Sequence, residues 1–138
     1  MVEIQITYLG ELRNKAIHVP SGVAVLTDAP VDNHGKGESF SPTDLLSAAL
    51  GCCMTTIMGI VAERRGWDLK GLSVRIFKHM TTKSPRKVRL LEIEMYIPLS
   101  REIDPSGILE KAAITCPVYL SLDSTIEKKL TIRWIEKA

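Results

Sequence analysis

The chain has 138 residues, 45% of them hydrophobic and 25% charged, and a net charge of +2. That size and balance fit one soluble globular domain, expected over residues 1–138. So small a charge does not specify nucleic acid or an anionic membrane as partner. In chain order, residues 2–8 (VEIQITY), 12–19 (LRNKAIHV) and 23–27 (VAVLT) alternate and predict an antiparallel meander. Residues 28–40 are polar and glycine-rich and predict a loop that walls a site. A long helix follows over residues 41–66, SPTDLLSAALGCCMTTIMGIVAERRG. Ser41 is its N-cap, Pro42 its first residue and Asp44 the return partner of a capping box. Arg64, Arg65 and Gly66 close it.

From Leu45 to Ala62 this helix carries no charge. A helix apolar all round either spans a membrane or is buried in a core. It is rich in Ser, Thr, Gly and Ala, and strands around it need covering, so a soluble core helix is expected. Residues 67–80 and 86–99 alternate and predict a long hairpin. Residues 104–115 predict a second helix with Asp104 as N-cap and Pro105 behind it. Pro117 interrupts it, residues 118–122 form a short helix, and residues 128–135 form a last strand. The acidic, alternating N-terminus does not read as an export leader, and three cysteines fit a reducing cytoplasm.

Cys116 precedes a proline at a helix start, where free N–H groups favour a thiolate. Cys53 is mid-helix, gains no such help from its own helix, and calls for a neighbouring cation. Cysteines on apolar faces are commonly small core residues, so position alone leaves two readings open, core packing and a redox pair. Cys52 points about 100° away from Cys53. His18, His34 and His79 have no ligand spacing to the cysteines, and no metal or other cofactor is expected. No serine triad, phosphate loop or zinc-protease motif occurs.

Three motifs together resemble the OsmC/Ohr family, the osmotically inducible and organic hydroperoxide resistance proteins. They are Ser41-Pro42-Thr43-Asp44-Leu45-Leu46 with Ala48-Ala49-Leu50-Gly51-Cys52-Cys53, then Arg65-Gly66-Trp67, and Cys116-Pro117-Val118. The resemblance implies an α+β fold and an intertwined homodimer with both sites at the subunit interface. It also implies a cysteine-based peroxidase: Cys53 attacks a peroxide, Cys116 resolves the sulfenic acid to a disulfide, and a dithiol resets the pair. Well-known members carry an arginine before the helix and a glutamate where this chain has Thr43. The loop before this helix holds no arginine, only Lys36 and His34 as cations. Asp44, Lys36, Arg65 and Thr43 are therefore the candidate supporting residues. The alternative is a slow or non-catalytic dimer that holds a small hydrophobic or thiol ligand beside Cys53.

Overall fold

The structure, a computed structural model, describes residues 1–136. The chain divides into two compact units, Met1–Leu46 and Ser47–Ala138, with the boundary inside the long helix.

The first unit is the expected meander. Strands β1 (Ile4–Gly10), β2 (Arg13–His18) and β3 (Ala24–Asp28) pair antiparallel in that order. The first turn lies later than its glycine suggests. Gly10 still pairs with Arg13, and Glu11 and Leu12 make the reversal at φ 53° and 63°. Two consecutive left-handed residues match the twist of a two-residue hairpin, and that geometry outweighs the poor fit of Glu and Leu to it. The sheet leaves Ile4, Ile6 and Tyr8 all more than 60% exposed, and these residues share one face because alternate positions point the same way.

The loop after β3 is tied back to this sheet. Asp28 N–H donates to the Phe40 carbonyl at 3.0 Å and Ser39 Oγ donates to the Leu26 carbonyl at 2.8 Å. Gly35 is obligatory there: a Cβ on it would stand 1.7 Å from the carbonyl oxygen of Ala29.

Helix α1 (Pro42–Arg65) begins as the sequence specifies. Asp44 N–H donates to Ser41 Oγ at 3.1 Å, and Ser41 N–H donates to Asp44 Oδ2 at 2.9 Å, a reciprocal capping box. It ends with Trp67 N–H on the Ala62 carbonyl and Gly66 N–H on the Glu63 carbonyl, a Schellman motif.

In the second unit β4 (Ser73–Met80) and β5 (Val88–Ile97) form the expected hairpin, and β6 (Glu127–Trp134) pairs parallel to β5. Parallel neighbours need a crossover, which α2 (Ile108–Ile114) and α3 (Pro117–Ser121) supply. The buried stripe of α1, Ser47, Leu50, Gly51, Met54, Met58 and Ala62, recurs at helical spacing. Leu50, Met54 and Met58 join Leu91, Ile93, Met95 and Ile97 of β5 in one core. Gly51 lets α1 approach β4 closely, since a Cβ there would stand 2.9 Å from Ile76 Cδ1.

By length and composition α1 could cross a membrane, but it packs on this sheet as a core helix. Along its apolar stretch Leu46, Ala49, Cys52, Thr56 and Ile60 are exposed, and at helical spacing they form one stripe that its own chain leaves uncovered.

One expected boundary is corrected. Asp104 does not sit directly before α2. Gly107, at φ 72°, is the N-cap and starts the helix later, because its left-handed backbone breaks any earlier helical run. Asp104 still serves the helix from outside: its buried carboxylate accepts from Ile108 N–H and Leu109 N–H, both at 2.9 Å. These bonds satisfy two of the first-turn donors that a helix leaves open.

Candidate functional site

Two segments bring the cysteines together. The mid-section of α1 carries Cys53 beside its buried stripe, half-buried, and Cys52 one step round, exposed. Cys116 is the N-cap of α3, with Pro117 in the first helical position, where its fixed φ and missing N–H are harmless. Cys116 is fully buried. The two thiols are close enough for Cys53 to raise the pKa of Cys116.

The first turn of α3 delivers its free donors to these two sulfurs. Tyr119 N–H donates to Cys116 Sγ at 3.4 Å, and Val118 N–H donates to Cys53 Sγ at 3.5 Å. Cys53 thus receives a backbone donor that no reading of its own helix reveals.

Cys116 behaves opposite to expectation. Its thiol is pushed up from the ordinary value of 9.0, first by burial, then by the hydrogen bond and charge of Cys53. The Tyr119 and Val118 N–H groups pull it down, as a helix start should, but burial outweighs them. Burial thus favours the protonated form of Cys116. The pair is therefore unequal in access: Cys116 is buried and Cys53 half-buried, each with a backbone donor from α3.

The other candidates lie as follows. Asp44 is engaged in the capping box, and Thr43 Oγ1 lies 3.2 Å from Ser41 Oγ. Arg65 is exposed at the end of α1, its guanidinium 5.5 Å from the centre of the Trp67 ring. It stands twelve residues beyond Cys53, roughly 18 Å along the helix. Lys36 is exposed on the loop after β3.

Sequence reasoning missed a charged cluster in the first unit. Arg13, opposite Asp28 in the β2–β3 register, lies 3.5 Å from the buried Asp28 carboxylate and 2.5 Å from Glu38. Glu38 first, then Asp28 and Glu11, push the guanidinium further toward its charged form. Glu38 N–H also donates to Asp28 Oδ2 at 3.0 Å. An arginine thus reaches the loop that contains none, and the signal was available only through the strand register.

A cavity of about 350 Å³ opens between α1 and β4, lined by Ala48, Gly51, Cys52, Thr55, Val74 and Ile76. It lies on the Cys52 side of α1. Among the described residues no cluster of His, Cys, Asp and Glu could hold a metal ion.

The model of the OsmC-like protein family matches residues 35–131. No curated protein matches the chain. Among solved structures, a candidate osmotic stress induced and detoxification response protein from Psychrobacter arcticus 273-4 is 41% identical, with 96% of each chain covered and a TM-score of 0.90. An organic hydroperoxide resistance protein OsmC from Legionella pneumophila shares 14% identity over 96% of each chain, with a TM-score of 0.76. A candidate organic hydroperoxide resistance protein from Vibrio cholerae, with captopril bound in one of its active sites, shares 14% identity over 94% of this chain and 90% of its own, with a TM-score of 0.74. The α+β fold, the two cysteine motifs and this match over most of the length agree, and the chain belongs to the OsmC-like protein family.

Proposed function

We propose that the protein is a thiol peroxidase that reduces hydroperoxides through Cys53 and Cys116. The observation that carries this reading is the pairing of the two sulfurs at one helix start: consecutive donors of α3, Val118 N–H and Tyr119 N–H, meet the half-buried Cys53 sulfur and the buried Cys116 sulfur. The Cys53 thiolate attacks the outer peroxide oxygen. An S–O bond forms, the O–O bond breaks, and the departing alkoxide takes a proton to leave as an alcohol. Cys116 sulfur then attacks the sulfenic acid. An S–S bond forms, the S–O bond breaks, and the hydroxyl leaves with the Cys116 proton as water. A dithiol reduces the disulfide in two exchange steps and becomes a disulfide itself.

Lys36, Asp44 and Thr43 are the proposed supporting groups; Arg65 stands too far along α1 to support Cys53 of its own chain. The proposed unit is a cytoplasmic homodimer with its sites at the subunit interface. The exposed stripe of α1 with Leu46 and Ile60, and the exposed Ile4, Ile6 and Tyr8, support the dimer, because apolar surfaces of this kind favour a partner.

One observation favours a second reading, a binding protein that turns over slowly or not at all. The α1–β4 cavity is mostly apolar and large enough for a small ligand. Consumption of cumene hydroperoxide and of hydrogen peroxide, in the presence of a dithiol, separates the two. Sustained turnover that Cys53→Ser abolishes is the expected result. No turnover with either peroxide ends the peroxidase reading.

A further inference from the structure

Strand β6 places Lys128, Leu130, Ile132 and Trp134 on one face, because alternate strand residues point the same way. That face is half-buried, and Lys128 pairs in register with Leu91, which is fully buried. A lysine in an otherwise apolar row is unusual: ordering its side chain costs entropy, and its ammonium needs partners. Here Nζ donates to the Ile126 carbonyl at 3.1 Å and lies 5.0 Å from the centre of the Tyr119 ring. A cation over an aromatic face at that distance is attracted to it.

Tyr119 is the residue whose N–H meets Cys116 Sγ, one step after the Val118 N–H that meets Cys53 Sγ. Helix α3 has only five residues, far too few to hold its shape alone. Its seating depends on anchors. Val118, Tyr119 and Leu122 pack against the core, and the Tyr119 ring also meets Lys128 of β6.

We propose that Lys128 is a positioning residue: by clamping the Tyr119 ring it keeps the first turn of α3, and so the Val118 and Tyr119 N–H groups, on the two sulfurs. The inference rests on the reading of Cys53 and Cys116 as the reacting pair, and it concerns what holds that pair ready.

The test is the rate at which iodoacetamide, an uncharged probe, alkylates Cys53 in the full-length protein. A Cys52→Ser background and mass spectrometry of the Cys53 peptide isolate the signal. Lys128→Met keeps the stem and removes the charge, and it slows alkylation about fivefold at neutral pH, the scale of one partly desolvated cation–π contact. Its pH profile moves to higher pH. Lys128→Arg restores the rate. Tyr119→Leu gives the same loss, Tyr119→Phe restores it, and the double variant Lys128→Met/Tyr119→Leu is no slower than either single. Circular dichroism on each variant reports the fold, and the two restoring variants keep the test decisive if a disruptive one unfolds. An unchanged rate in Lys128→Met overturns the clamp. So does a full loss in Lys128→Met with none in Tyr119→Leu, which is the pattern of a bare charge effect. Peroxide turnover is scored separately: a wild type that alkylates normally but consumes no peroxide defeats the peroxidase reading and leaves the clamp standing on its own result.

Discussion

The backbone N–H of Val118 donates to Cys53 Sγ at 3.5 Å, although 65 residues of chain separate them. This bond links the core helix to the crossover between β5 and β6. A backbone donor to a charged sulfur is worth about 1.5–3 kcal/mol, more than a bond to a neutral one. Replacing the Val118 amide by an ester through semisynthesis removes this N–H and leaves the side chain. Alkylation of Cys53 at neutral pH should slow by about tenfold or more. A rate equal to that of the native backbone would show that the contact carries no reactivity.

The thiol pair makes a second expectation concrete. One equivalent of hydroperoxide should link Cys53 to Cys116 and leave Cys52 free. Consecutive N–H groups of α3 meet their two sulfurs, whereas Cys52 faces away and is exposed. Peptide mapping under non-reducing conditions reads the linkage directly. A Cys52–Cys116 bridge would move the reactive role to Cys52, and the α1–β4 cavity would become the peroxide site.

Local chemistry was legible in the sequence and long-range chemistry was not. Ser41, Asp44 and Gly66 act within four residues of themselves, so the start and end of α1 could be read directly. The Cys116-Pro117 helix start could be read for the same reason. Asp104 was correctly tied to α2, but Gly107 delayed the start of that helix. The donor to Cys53 comes from another element, and burial reverses the thiolate tendency expected of Cys116. Both follow from packing, which helix position alone does not encode. The Arg13–Asp28–Glu38 cluster likewise depends on strand register and loop return.

Assembly gives a third expectation. Ile4, Ile6 and Tyr8 are exposed on one face of the first sheet, and Leu46 and Ile60 are exposed on α1, which is apolar surface that a second chain could cover. Light scattering at micromolar protein should return twice the 15.3 kDa of one chain. The double variant Ile4→Glu/Ile6→Glu places charges on that face and should shift the equilibrium toward monomer. A folded monomeric wild type would remove the interface from the proposed site.

The raised pKa of Cys116 makes a last expectation, about stability and pH. In the unfolded chain this thiol titrates near 9.0, whereas burial in the folded chain holds its proton to higher pH. Below that range both states bind the proton and Cys116 adds no pH dependence. As the pH rises through it, the unfolded chain releases its proton while the folded chain keeps one. The unfolded state then binds fewer protons, so stability falls, by at most about 1.4 kcal/mol for each pH unit. The fall ends once the folded thiol also ionises. Urea unfolding under reducing conditions, at intervals from pH 7 to pH 10.5, measures this. A Cys52→Ser/Cys53→Ser background leaves burial, the largest cause, as the main term and removes the other thiols. There the protein with Cys116 should lose stability toward alkaline pH more steeply than the same protein with Cys116→Ser, because serine does not titrate. Parallel curves would mean that burial does not hold the Cys116 proton, and the division between a protonated resolving thiol and an accessible attacking one would fall with it.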